Sequence, residues 1–186
     1  VFDRLRAPAA DVAEMDHVLS SGRYRVTPVV GCTNEHARRA VSEFFAAGAS
    51  GELNLLYIST HGMLDADGEL HFVLQDSQSD DLAGTALAAA FVYERMCAGR
   101  ATSRLVILDT CYSGRFAGGL RAKSATESYA KLAKDAPDGR GMGVLTSSGE
   151  TKQSFEGDGR LSLFTDAVVA GIAAGGRVTF DSLYAF

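Results

Sequence analysis

Arg104-Leu-Val-Ile-Leu-Asp-Thr-Cys-Tyr-Ser-Gly114 holds an unbroken run of branched apolar residues, Leu105 to Leu108, between polar ends. Such a run, closed by polar residues and glycine, reads as a strand buried on both faces, as in parallel sheets covered by helices. The strand stops at Asp109, and Cys111 follows at once. Ligands of open parallel sheets bind beyond the carboxyl ends of the strands. A cysteine there meets solvent and substrate instead of packing into the core. Leu53-Asn-Leu-Leu-Tyr-Ile-Ser59 is a second apolar, β-favouring run, and Thr60-His61-Gly62 follows it. If the two strands are parallel neighbours, His61 and Cys111 leave the sheet at one edge. A histidine beside a cysteine is the minimal apparatus of a thiol nucleophile.

The bulk composition leaves room for this chemistry and excludes others. A length of 186 residues fits one domain, 1–186, with a sizeable core. Hydrophobic content of 46% and charged content of 22% are those of a globular protein. A net charge of −5 gives no reason to expect nucleic acid or an anionic membrane as partner. No apolar run approaches the ~20 residues of a spanning helix. Val1-Phe-Asp-Arg-Leu-Arg6 has no apolar signal-peptide core, and the first residue is not methionine, so the sequence reads as a fragment or a processed piece. Three cysteines, Cys32, Cys97 and Cys111, argue against a disulfide framework and for a reducing, cytoplasmic setting. The four histidines are dispersed, with no CxxC, HxH or HExxH spacing for zinc.

Along the chain, strands alternate with helices. Asp11 to Leu19 carries a helical apolar stripe behind Pro8, and Tyr24 to Val30 reads as an edge strand because of Pro28. Ala37, Val41, Phe44 and Phe45 mark a second helix, capped by Thr33 or Asn34. Met63 to Leu74 reads as a hairpin turning at Asp67-Gly68, Gln75 to Asp81 as a polar loop, and Thr85 to Cys97 as a third helix. From Gly114 to Gly141 the chain is polar and glycine-rich, a surface loop with room for a short helix over 128–134. Gly143 to Thr146 reads as a strand, Ser162 to Ala174 as a helix, and Phe180 to Phe186 as the start of another. Alternation of this kind implies an α/β fold with a mostly parallel sheet and helices on both faces. No strand is visible before the first helix, where such a sheet usually opens with one.

Spacing eliminates several cysteine chemistries. A Cys-x5-Arg phosphatase loop needs arginine at 117, where Ala117 stands, and no CxxC or GxSxG occurs. Cys32 and Cys97 read as small core residues, His17 and His36 as solvated helix residues, and His71 as structural. Cysteine–histidine hydrolysis fits the remaining pair best.

Ser59-Thr-His-Gly62 followed by Asp109-Thr-Cys-Tyr-Ser-Gly114 resembles the caspase-like cysteine peptidases, with His61 upstream of Cys111 at about their ~50-residue separation. It resembles the metacaspase branch and its bacterial relatives more than true caspases. Asp109 stands where the Gln-Ala-Cys-x-Gly signature has glutamine, and the glycine falls at Gly114. The likeness includes Pro8-Ala-Ala-Asp11 and Ser162-Leu-Phe-Thr165. It implies the three-layer caspase-like fold, with a first sheet strand upstream of residue 1. It also implies a cysteine endopeptidase in which Cys111 is the nucleophile and His61 the general base. The backbone N–H groups of Gly62 and Cys111 would form the oxyanion hole. Asp11, Ser59 and Asp109 match the walls of an acidic pocket for arginine or lysine at P1, the substrate residue before the scissile bond. Two carboxylates there would clamp a guanidinium and reject aspartate. For Asp11, the plainer reading is an acid favoured at a helix start.

The resemblance further implies self-cleavage among the six basic residues of the loop, at 115, 121, 123, 131, 134 and 140. No cofactor is required. Calcium activation would have Asp76, Asp80 and Asp81 as ligands, although their spacing matches no defined calcium loop; Asp65 and Asp67 suit the hairpin turn better. The competing expectation is a caspase-like binding module without turnover, or an enzyme silent until an activating partner orders its loops.

Overall fold

A computed structural model describes residues 2, 7–22, 24–118, 130–133, 141–147 and 160–173. The apolar run that opened the analysis is β5 (Ser103–Asp109), and Leu53–Ser59 is β1. They pair in parallel with Ser59 opposite Asp109 as the last pair. β7 (Gly141–Thr146) pairs parallel to β5 on its other side, and β6 (Ala130–Ala133) closes that edge antiparallel to β7, giving the order β1-β5-β7-β6.

Period-two alternation divides the sheet's side chains between two faces. Val106, Leu108 and Val144 pack with Ala37, Val41 and Phe45 of α2 (Asn34–Ala47) and Val92 and Met96 of α4 (Ala89–Ala98). Ile107 and Leu145 point the other way, onto Met15 and Leu19 of α1 (Pro8–Ser20) and Val168 of α6 (Leu163–Ala173). The result is the expected three-layer α/β architecture. Local chemistry fixes the helix ends. Pro8 opens α1, where its missing N–H costs nothing, and Thr33 caps α2 by accepting from the His36 N–H. Arg104, buried at the start of β5, caps α4 at its other end: its Nη1 donates to the carbonyls of Met96, Cys97 and Gly99, each at 3.1 Å. A cation among orphan carbonyls at a helix C-terminus suits both hydrogen bonding and the helix dipole.

The hairpin forms as expected from β2 (Gly62–Leu64) and β3 (Leu70–Phe72), with Gly68 at φ +80° in its turn. The Asp65 carboxylate organises it, accepting from the Asp67 and Glu69 N–H groups and from His71 Nε2 at 2.8 Å. The Glu69 N–H first, and His71 after it, hold the Asp65 carboxyl below the usual aspartate range.

Four expectations fail. Tyr24 to Val30 forms no strand: Pro28 lacks an N–H, β1 is the sheet edge among the described residues, and Tyr24 and Val30 are exposed. The third helix does not begin at Thr85. Leu82–Thr85 is a short α3, and Leu87–Ala88 pairs with β3 as β4 before α4 starts at Ala89. Residues 130–133 are strand, not helix, because pairing with β7 overrides their local preference. Cys97 is exposed instead of core. Beyond α5 (Gly114–Gly118) and β6, the expected surface loop over 114–141 lies outside the described residues, as does the expected helix over 180–186.

Beyond the sheet the two strand ends stay in contact. A Cβ on Gly62 would lie 2.1 Å from the carbonyl oxygen of Cys111 and 3.1 Å from Thr110 Oγ1. Only glycine fits there without moving backbone. Gly62→Ala is therefore expected to destabilise the fold by about 1–3 kcal/mol, the usual cost of overpacking. Denaturant unfolding measures this, and an unchanged midpoint would contradict the contact.

Candidate active site

β1 and β5 deliver His61 and Cys111 to one rim. Past the last pair, the Thr60 N–H donates to the Asp109 carbonyl at 3.4 Å, so the chains leave the sheet side by side. His61 and Cys111 are both half-buried, and the Gly62 backbone lies against that of Cys111. Neighbouring residues hold both segments. The Val73 N–H donates to the His61 carbonyl at 2.9 Å, and Thr60 Oγ1 donates to the Val73 carbonyl at 2.7 Å. Buried Thr110 donates its hydroxyl to the Cys111 carbonyl, while Ser147, after β7, donates its N–H to the Leu108 carbonyl and its hydroxyl to that of Thr110.

Immediately after Cys111 the backbone turns sharply. Tyr112 has φ +57°, a left-handed conformation that a residue with a Cβ adopts at a cost of about 1–2 kcal/mol. Strain of this kind concentrates at functional sites. The turn leads into α5, where Arg115 Nη1 donates to the Gly68 carbonyl at 2.8 Å and ties the hairpin tip to the segment after Cys111. The apolar run gave no hint of this turn, since tyrosine carries no left-handed preference.

The three residues expected to line an acidic pocket also converge. Ser59 Oγ donates to Asp11 Oδ2 at 2.9 Å, and Asp109 stands opposite Ser59 in the sheet. Asp11, in the first turn of α1, is only 1% exposed and Asp109 5%, so both acids are buried. Ser162, which the sequence did not single out as a site residue, joins them. Its N–H donates to Asp11 Oδ1 at 2.9 Å and its hydroxyl to Asp109 Oδ2. Thr165 Oγ1 donates to the same Asp109 oxygen at 2.9 Å, and Tyr57 Oη lies 2.5 Å from Thr165 Oγ1. Burial pushes the Tyr57 phenol far up, and the Asp109 and Asp11 charges push it the same way. It stays neutral at any physiological pH. Hydroxyl residues this far apart in sequence leave no periodic signal; only the shared strand end gathers them.

The three calcium candidates do not form a cluster of this kind. Asp76 Oδ1 accepts from the Asn34 N–H at 2.9 Å, Asp81 caps α3 by accepting from the Gly84 N–H at 3.0 Å, and Asp80 is exposed. Among the described residues no group of three or more His, Cys, Asp or Glu side chains is placed to hold a metal ion. Nor is any helix among them long and apolar enough to cross a membrane. None of Cys32, Cys97 and Cys111 is in a disulfide.

Comparison with curated protein sequences gives no match. Among solved structures, caspase-1 from Spodoptera frugiperda superposes with a TM-score of 0.65 at 15% identity, over 98% of this chain and 68% of that one. At that identity the likeness speaks for the fold. The family model of the caspase domain matches residues 2–185, nearly the whole sequence. With His61 and Cys111 just beyond adjoining strand ends of a three-layer fold, the chain belongs to the caspase-domain family of cysteine peptidases.

Proposed function

We propose that this peptidase is an endopeptidase of the metacaspase type, cleaving after arginine or lysine through a Cys111–His61 dyad. The observation that carries the specificity is the buried carboxylate pair, Asp11 and Asp109, beside the strand end from which Cys111 emerges. Two buried carboxylates gathered at one strand end concentrate negative charge there. A P1 guanidinium or ammonium is attracted to that paired negative charge, and an acidic P1 residue would add a third negative charge to the site.

In the reaction, His61 takes the Cys111 thiol proton and the thiolate attacks the scissile carbonyl carbon. The developing oxyanion accepts from the backbone N–H groups of Gly62 and Cys111. The carbon–nitrogen bond breaks as His61 returns the proton to the leaving amine. Water, deprotonated by His61, then hydrolyses the thioester and frees Cys111. No step runs through a metal. A reducing, cytoplasmic setting keeps the thiol available.

Self-processing takes place, in this reading, within 115–140, but not at every basic residue there. Arg115 sits in α5 with its guanidinium on Gly68, and Phe116 after it is 4% exposed. Lys131 lies in β6, paired with Val144. Neither peptide bond can enter an active site without unfolding its element. Arg121, Lys123, Lys134 and Arg140 are left as cleavage points.

A panel of fluorogenic peptides differing only at P1 tests the activity. Hydrolysis after arginine and lysine is expected, with none after aspartate, and a loss of at least roughly a hundredfold in Cys111→Ala and His61→Ala. A chelator or added calcium is expected to change nothing, given the engagement of Asp76 and Asp81. Silence in every condition would favour the binding module, and activity appearing only with a partner protein the gated enzyme. Mass spectrometry of the wild type beside Cys111→Ala is expected to show fragments ending at 121, 123, 134 or 140 in the wild type alone. Identical intact masses would remove self-processing.

A further inference from the structure

Ser162 bonds to both acids of the proposed pocket at once. It precedes α6, and its Oγ accepts from the Thr165 N–H at 3.0 Å, the bond of an N-cap. Its N–H donates to Asp11 on α1, and its Oγ–H donates to Asp109 at the end of β5. One residue therefore links two helices and a strand around two carboxylates. Ser59 fixes the other Asp11 oxygen, and Thr165 gives Asp109 Oδ2 a second donor. Ser162 is 5% exposed and Thr165 wholly buried, so water does not compete for these bonds.

We propose that Ser162 is a specificity-determining positioning residue, which sets Asp11 and Asp109 at the spacing and angle a P1 guanidinium requires. The inference rests on the basic-P1 reading above and deepens it. Like charges held close repel, and the two donors of Ser162 offset that repulsion by bridging the carboxylates. Each carboxylate oxygen has two acceptor sites. Ser162 therefore takes one acceptor site on each acid, on Oδ1 of Asp11 and Oδ2 of Asp109. Fixed geometry matters unequally to the two basic side chains. Guanidinium is a rigid planar fork that bonds bidentately, whereas ammonium is a point charge on a flexible stem. Loss of the Ser162 hydroxyl should accordingly weaken arginine substrates more than lysine substrates, in KM more than in kcat, since Ser162 acts through the pocket acids and not on the reacting atoms.

The test compares wild type, Ser162→Gly and Ser162→Thr on matched peptides with P1 arginine or lysine. Glycine removes the hydroxyl yet keeps the backbone N–H, and it is tolerated at an N-cap. Melting curves run alongside establish that it folds. For Ser162→Gly, KM on the arginine peptide should rise roughly tenfold, the scale of a lost hydrogen bond to a charged group. The arginine-to-lysine preference in kcat/KM should fall several-fold, with kcat and the rate of Cys111 alkylation held. Ser162→Thr, which restores the hydroxyl, should recover the preference. An unmoved arginine-to-lysine ratio in Ser162→Gly, including an equal loss on both substrates, would overturn the inference while leaving basic-P1 cleavage intact. A lower KM for arginine would also overturn it. A wild type that cuts after neither residue would overturn the basic-P1 reading, and the inference with it.

Discussion

Parallel pairing of β1 with β5, in register through Ser59 and Asp109, is the constraint from which the site follows. Two strands of equal length that end together must release their next residues together. The pairing thus puts Thr60-His61-Gly62 beside Thr110-Cys111-Tyr112, although the two segments are far apart in the chain. Burial secures the register. Val106 and Leu108 face α2 and α4 while Ile107 faces α1 and α6, so a one-residue slip of β5 would exchange the faces. The same pairing sets Ser59 and Asp109 side by side at the strand ends, just before the segments that carry His61 and Cys111. In the proposed enzyme, a single register error would displace nucleophile, base and pocket together.

The layers above and below the sheet complete what the strands begin. α1 brings Asp11 to the Ser59 hydroxyl, and the start of α6 brings Ser162 and Thr165 to Asp109. Both helices lie on the face that also holds Ile107 and Leu145. The apolar contacts of that face keep the acids buried, and the hydroxyl groups make their burial tolerable. Packing and the hydrogen bonding of the two acids are therefore coupled through α1 and α6.

Much of this was legible in the residues. The runs at 53–59 and 105–108 are apolar for long enough, and stop sharply enough, to be read as core strands with functional ends. The hairpin announced itself through Asp67-Gly68, and α2 through the apolar spacing of Ala37, Val41, Phe44 and Phe45. What stayed hidden depends on partners distant in sequence. Residues 130–133 become strand only because β7 offers a ladder, and Leu87–Ala88 leaves the expected helix only because β3 does. Tyr24 to Val30 has the composition of a strand, yet composition cannot supply a neighbour. Ser162 and Thr165 look like ordinary helix-start residues until the fold sets two carboxylates against them. The left-handed turn at Tyr112 had no signal, because the structure around Cys111 imposes it against local preference.

Everything proposed for this enzyme requires one substrate to reach Cys111 and the acidic pair simultaneously. A crystal structure with a peptide aldehyde carrying P1 arginine measures this directly. The account predicts a covalent bond from Cys111 Sγ to the aldehyde carbon and the guanidinium between Asp11 and Asp109, within hydrogen-bonding distance of both. Adduct formation at Cys32 or Cys97, or an adduct at Cys111 whose guanidinium points to solvent away from those carboxylates, would contradict it.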